Sequence, residues 1–264
     1  MSTENTPRMR ENIHTHTVRC HHAVGTEREY IENAVARGLR VLGFADHSPQ
    51  IFPDGYISGV RMLPQQLPEY VRILTALREE YRDRIDIRIG LEMEYYPACF
   101  ASTLDWIRRC GVEFLILGQH WTGNEVGEEH AFNATADEKR LIRYVDQSLE
   151  GLRTGVFTYA AHPDGFRFTG DEAAYRRHME RFCREAKALD VPLEINLQGV
   201  REHRPYPCER FWRIAAEVGN RVVFGIDAHQ PHVILDEQPY ADGMEFCRRL
   251  GIEPEGHFTL RDIR

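Results

Sequence analysis

The chain has 264 residues, 28% charged and 42% hydrophobic, with 33 basic against 41 acidic side chains and a formal net charge of −8. That length suits one large α/β domain of ordinary globular composition, and no apolar run nears the ~18 residues of a membrane helix, so a membrane partner is excluded. The acidic balance argues against nucleic acid as main partner, because backbone binding wants a basic surface, but not against a small phosphate ester.

The opening Met1-Ser-Thr-Glu-Asn-Thr-Pro-Arg lacks the apolar stretch of a signal peptide. Cys20, Cys99, Cys110, Cys183, Cys208 and Cys247 form no Cys-x-x-Cys pair. Reduced thiols in a cytoplasmic compartment are the expectation.

The first apolar run, Asn12-Ile-His14-Thr-His16, carries two histidines two apart, which point to one side of an extended strand. His22 follows within Arg19-Cys-His-His-Ala23, where His21 competes for the same role. Residues 26–38 read as a helix: Thr26 is the N-cap candidate, Glu29 three residues on makes a capping box, and Gly38 ends it. The second run is Val41-Leu-Gly-Phe-Ala-Asp-His47. A helix over 67–84 then spaces Tyr70, Ile73, Leu74, Leu77 and Tyr81 by threes and fours. The run Ile87-Arg-Ile-Gly-Leu-Glu92 precedes a helix near 101–110, and Phe114-Leu-Ile-Leu-Gly-Gln-His120 precedes one near 137–154. Phe157-Thr-Tyr-Ala-Ala-His162 leads into 171–190, and Pro192-Leu-Glu-Ile-Asn196 into 207–219. Last come Val222-Val-Phe-Gly-Ile-Asp227-Ala-His229 and a helix near 239–251.

Strand alternating with helix seven times indicates parallel strands. The predicted fold is α/β: a single seven-stranded (β/α)7 TIM-like barrel over residues 1–264. A doubly wound open sheet competes, since strand order is not written in the sequence. Six of the runs finish on His, Glu or Asp, and the seventh on Asn196. In a parallel barrel all strands aim their C-terminal ends at one face, where active sites assemble. Seven imidazoles (His14, His16, His22, His47, His120, His162, His229) and two carboxylates (Glu92, Asp227) then converge. Such a mixture suits Zn, Mn or Fe. A structural zinc site takes four ligands, usually including Cys, so nine donors indicate a centre of two or three divalent transition metal ions.

These motifs resemble the polymerase and histidinol phosphatase (PHP) superfamily, and within it the histidinol-phosphatase type. The resemblance rests on His14-Thr-His16, Cys20-His-His22-Ala23, Phe44-Ala-Asp-His47-Ser-Pro, Arg61-Met62, Gly90-Leu-Glu92, Gly118-Gln-His120, Ala161-His162-Pro-Asp164, Glu194-Ile-Asn-Leu-Gln-Gly-Val-Arg201 and Gly225-Ile-Asp-Ala-His229. It implies a distorted barrel with a trinuclear centre. By that pattern His14, His16, Glu92 and Asp227 hold one ion, Glu92 is shared with a second completed by His120 and His162, and His22, His47 and His229 hold a third. Two ions about 3.5–4 Å apart bridge a water, lower its pKa and clamp both oxygens of a displacement at phosphorus.

Glu92, Asp227 and His229 are thus expected at the reacting centre. Asp164 and Asp46, each beside a ligand histidine, are candidates to orient an imidazole or protonate the leaving oxygen. Glu94 reads equally as a partner behind the ligands or a rim carboxylate. Arg167 and Arg201 match positions where the family carries phosphate-binding arginines, and a guanidinium offers a planar fork for phosphate. Arg61 and His203 are further substrate-binding candidates, with Arg204 weaker. His130, His178 and His257 are expected on the surface, and His203 and His232 in loops just past strand ends.

The implied reaction is phosphoester hydrolysis of a small phosphorylated metabolite, with L-histidinol phosphate the best single substrate. A cyclic sugar phosphate is the alternative, and an idle binding module the third. Gln119 where the family usually has Ser, Ile226 in place of Ser, and Pro163 in place of Leu change the pocket wall without removing a ligand.

Overall fold

A computed structural model describes residues 8–264. Seven strands stand side by side in sequence order, each parallel to its neighbours. They are β1 (Glu11–Asn12), β2 (Val41–His47), β3 (Asp86–Met93), β4 (Phe114–Leu117), β5 (Phe157–Ala160), β6 (Leu193–Asn196) and β7 (Val222–Gly225). The helices are α1 (Glu27–Arg37), α2 (Leu67–Tyr81), α3 (Phe100–Cys110), α4 (Glu138–Arg153), α5 (Glu172–Ala188), α6 (Leu197–Arg201), α7 (Glu209–Val218) and α8 (Gln238–Leu250). Consecutive pairing decides between the two expected topologies, because a doubly wound sheet brings non-consecutive strands together.

The barrel is nearly closed, and its seam is irregular. β1 has only two residues, so β1 and β7 meet beyond their ladders, where Thr15 bridges Ala228 and the His16 N–H donates to the Ala228 carbonyl at 2.9 Å. The Asn12 side chain fills the gap below. Its Oδ1 accepts from the Ile226 N–H at 2.8 Å and its Nδ2 donates to Thr15 Oγ1 at 2.8 Å. A side chain thus supplies pairing that backbone cannot reach.

All seven expected helices are present, with ends within three residues of those read from the sequence. The Thr26 capping box forms: Thr26 Oγ1 accepts from the Glu29 N–H, and Glu29 Oε2 accepts from the Thr26 N–H at 2.6 Å. α6 was not expected. Five residues are too few for a helical period to register, and its start depends on Asn196, whose Oδ1 accepts from the Gly199 N–H at 3.2 Å.

Ile13, Ala45, Phe114, Ile116, Tyr159, Ala161 and Val223 fill the barrel interior. Phe258 and Leu260 of the C-terminal tail pack against that cluster, tied in by the Phe258 N–H on Glu11 Oε2 at 2.8 Å and the Glu255 N–H on the Val222 carbonyl at 2.7 Å. The tail therefore covers the N-terminal end of the barrel and leaves the C-terminal end for the site. Among the described residues every cysteine is free, and no helix is long and apolar enough to cross a membrane.

Thr26→Ala removes one half of the capping box and leaves an N-terminal amide of α1 without its acceptor. Urea denaturation should register a loss of about 1 kcal/mol.

Candidate metal centre

The strands deliver their polar ends to one place, by two local devices. His47 and Glu92 lie within β2 and β3, paired across the ladder. His120, His162, Asp227 and His229 instead follow the last residue of β4, β5 and β7, where the chain has left the sheet. His162 (φ 31°) and Asp227 (φ 52°) adopt left-handed backbone. Non-glycine residues hold that conformation at a cost of order 1–3 kcal/mol, so the surroundings must enforce it, and here it turns both side chains inward.

Glu92 lies at the middle, 1% exposed. Its Oε2 is 3.5 Å from His14 Nε2, 3.5 Å from His16 Nε2 and 3.1 Å from His47 Nδ1. Its Oε1 is 3.5 Å from His120 Nε2 and 2.8 Å from His162 Nε2. Asp227 Oδ1 stands 3.6 Å from His14 Nε2 and 3.1 Å from His16 Nε2. The His229 ring stacks on His16 at 4.1 Å and on His22 at 4.8 Å between centroids, and His22 lies 5.2 Å from His47. All nine predicted donors are therefore in one cluster.

Both Glu92 oxygens, Asp227 Oδ1, His14 Nε2, His16 Nε2 and His229 Nε2 are buried without a hydrogen-bond partner. Buried polar atoms are rarely left so, and a cluster of them converging on one space fits a cation. The spacing agrees. Two ligands 2.0–2.2 Å from a tetrahedral cation lie about 3.3–3.6 Å apart, and His14, His16, Glu92 and Asp227 present donors 3.1–3.6 Å apart.

Charge follows the same logic. Burial pushes the Glu92 carboxyl up, but His120, His47, His14 and His162 overcome it and hold it well below the usual range. Burial lowers His14, while Glu194, Asp227 and Glu92 more than reverse that and raise it well above an ordinary imidazole. His47 falls to about 4, chiefly through burial, despite Glu92. The carboxylates and the imidazoles beside them thus favour their charged forms together, while burial favours the neutral form of His47.

Carboxylates stand behind three of the imidazoles. Glu194 Oε1 is 2.6 Å from His14 Nδ1, Glu94 Oε1 is 2.9 Å from His120 Nδ1, and Asp46 Oδ1 is 3.4 Å from His16 Nδ1. Asp46 also accepts from the Thr17 N–H, the Thr17 hydroxyl and the His47 N–H. Glu94 is buried behind His120 and also contributes to the cavity wall. Glu194 was missed as a site residue. Its signal was present, since a lone carboxylate inside the apolar strand Leu193-Glu-Ile-Asn196 needs a buried partner.

Above the cluster opens a cavity of about 790 Å³, and it separates the other candidates. Arg201 lies on its wall, half-buried, 3.3 Å from Glu202 Oε1, and Arg204 lines it too. Arg61 reaches the wall but is committed: it donates to Glu94 at 2.7 and 3.1 Å and to Glu125 at 3.1 and 2.5 Å, beneath Trp121. Two carboxylates already use its fork, which corrects its reading as a phosphate binder.

Arg167 is exposed and absent from the lining. Phe166 and Phe168 on either side are buried, and alternation along this extended stretch turns Arg167 outward. His203 is also exposed and outside the lining, in a left-handed turn after α6. Asp164 is buried but does not reach the cavity. Its Oδ2 accepts from the Cys208 N–H at 2.6 Å and Trp212 Nε1–H at 2.8 Å, so it anchors the start of α7, and burial raises it to about 6. His130 departs the other way: expected on the surface, it lines the cavity against Trp121 and Phe132.

A seven-stranded parallel barrel with imidazoles and carboxylates gathered at its C-terminal end defines a metal-dependent enzyme class. Residues 12–198 match the PHP domain, and the chain belongs to that family. It is 33% identical over 259 residues to a probable histidinol-phosphatase of Deinococcus radiodurans, covering 90% of this chain and 92% of that one. To a probable phosphatase of Acetivibrio thermocellus it is 25% identical over 223 residues, covering 83% and 78%. The crystal structure of histidinol phosphate phosphatase from Lactococcus lactis, complexed with zinc, L-histidinol and phosphate, shares the fold, with a TM-score of 0.73 at 21% identity over 97% of each chain.

Gly118 faces Glu92 so closely that a Cβ there would meet Glu92 Oε1 at 1.9 Å. Gly118→Ala should therefore displace the central carboxylate. A loss of about 1–3 kcal/mol in unfolding free energy is expected from chemical denaturation.

Proposed function

We propose that this protein is a metal-dependent phosphoesterase that hydrolyses a small phosphorylated metabolite, with L-histidinol phosphate as substrate and histidinol and phosphate as products. The observation that carries the reading is the division of Glu92. One oxygen faces His14, His16 and His47, and the other faces His120 and His162. A carboxylate so divided suits a bridge between two cations. In this reading His14, His16, Glu92 and Asp227 hold one ion, Glu92, His120 and His162 a second, and His22, His47 and His229 a third. Divalent cations bound there supply electrophilic stabilisation at phosphorus and a nucleophile at neutral pH.

The chain's own residues do the rest. Glu92 and Asp227 stay ionised in the buried centre and keep it receptive to cations. Arg201 on the cavity wall binds phosphoryl oxygens through its fork. Trp121, His130, Phe132 and Tyr206 line an aromatic side of the cavity, with neighbouring rings packed edge to face, and suit the apolar part of an organic group. The 33% identity to the Deinococcus radiodurans protein supports histidinol phosphate over other esters.

The purified protein, loaded in turn with Zn, Mn and Fe, should release phosphate from L-histidinol phosphate, and chelation should stop the release. Release only from cyclic sugar phosphates would replace the substrate and keep the chemistry. No turnover of either with any metal would overturn the reading. Arg201→Ala should leave metal content unchanged and lower kcat/KM by roughly 30- to 1000-fold, about 2–4 kcal/mol for a lost charge-assisted contact in the transition state. Near-normal kcat/KM in that variant would mean that Arg201 does not touch the phosphate.

A further inference from the structure

Glu194 is completely buried, yet it lies beneath the cavity floor and is absent from the lining. Four groups converge on it. Oε1 is 2.6 Å from His14 Nδ1 and accepts from the Tyr159 hydroxyl at 3.1 Å. Oε2 accepts from the His162 N–H at 3.0 Å and from Asn196 Nδ2 at 3.1 Å. The same Asn196 Nδ2 lies 3.0 Å from Asp227 Oδ2. One carboxylate therefore touches the side chain of one candidate ligand, the strained backbone of a second, and through Asn196 the side chain of a third. Barrel geometry makes room for it, since a Cβ on Gly225 would meet Glu194 Oε1 at 1.8 Å.

No guanidinium or ammonium shares its charge among the described residues. Glu94, the carboxylate behind His120, is held by Arg61 at 2.7 Å and shares its charge with that guanidinium. Glu194 is within salt-bridge distance of His14 alone among the described residues. Tyr159, Asn196 and the His162 amide are neutral donors, so among the described residues His14 is the one basic side chain in direct contact with this carboxylate. A carboxylate on Nδ1 fixes the tautomer, leaves Nε2 free with its lone pair outward, and raises its basicity.

We propose that Glu194 is the positioning residue of the cation centre, locking His14 in the ligating tautomer and tying His14, His162 and Asp227 into one rigid frame. This rests on the metal reading above, and the two fail separately. If the wild-type protein binds no Zn2+, the metal reading falls; if it binds Zn2+ and Glu194 is irrelevant, only this inference does.

The test uses Zn2+ itself, titrated against a chromogenic chelator, with thermal melting of apo and zinc-loaded protein. Glu194→Gln keeps size and removes the charge. Its affinity for the tightest Zn2+ should fall about 10- to 100-fold, the usual consequence of losing such a partner, and the zinc-induced rise in Tm should shrink. Tyr159→Phe removes a hydrogen bond to the same carboxylate but keeps the His14 contact, so its Zn2+ affinity should stay within about threefold of wild type. Unchanged affinity in Glu194→Gln, or an equal loss in Tyr159→Phe, overturns the proposal, because either result makes Glu194 only part of the packing. If Glu194→Gln does not fold, the wild type decides. In zinc-loaded protein labelled with 15N-histidine, His14 Nδ1 should carry an exchange-protected, strongly downfield proton, and an unprotonated Nδ1 would overturn the assignment.

Discussion

A single ionised carboxylate, 1% exposed and faced by five imidazoles, sets the terms for the rest of this molecule. Glu92 cannot stay charged in a barrel core unless something offsets the loss of water around it. Histidines do so from four different strands or strand ends, and each must then be held against its own rotational freedom. Much of the architecture at the C-terminal end of the barrel serves that need. β3 runs on to Met93 and keeps Glu92 in regular backbone, while β4, β5 and β7 stop short of His120, His162 and Asp227, the last two of which turn in left-handed backbone.

A second layer of charge stands behind the first. Asp46, Glu94 and Glu194 each meet an imidazole nitrogen on the side away from Glu92, so three rings are held between two carboxylates. Such arrangements are costly if incomplete and rigid when satisfied. The satisfaction reaches far into the fold: Arg61 links Glu94 to Glu125 in the loop after β4, and Tyr159 links Glu194 to the barrel interior, where the C-terminal tail packs its Phe258 ring. The two ends of the barrel are thereby joined through one line of buried contacts.

The PHP domain family and its histidinol-phosphatase relatives agree with this arrangement at the level of fold and chemistry. The residues that would meet a substrate lie on the cavity wall. Trp121, His130 and Phe132 form an aromatic face, and Arg201 and Arg204 bring positive charge opposite the carboxylates. Their meaning comes from the cavity they share.

Local chemistry determined much of this protein before any folding was considered. Short apolar runs and period-three-to-four patterns located the strands and helices, the Thr26–Glu29 pair located the start of α1, polar endings on apolar runs marked eight of the nine clustered donors, and the family resemblance marked His22. These features are legible because each depends on residues close in sequence. Tertiary structure alone decided the order of strands, the closure of the seam through Asn12, and the fates of polar residues near the site. Asp164 went to the start of α7, Arg61 to two carboxylates and Arg167 to solvent, while Glu194 and His130 entered the centre unannounced. A side chain's partners across the barrel lie dozens to hundreds of residues away, and no spacing rule within one strand records which of them reaches it first.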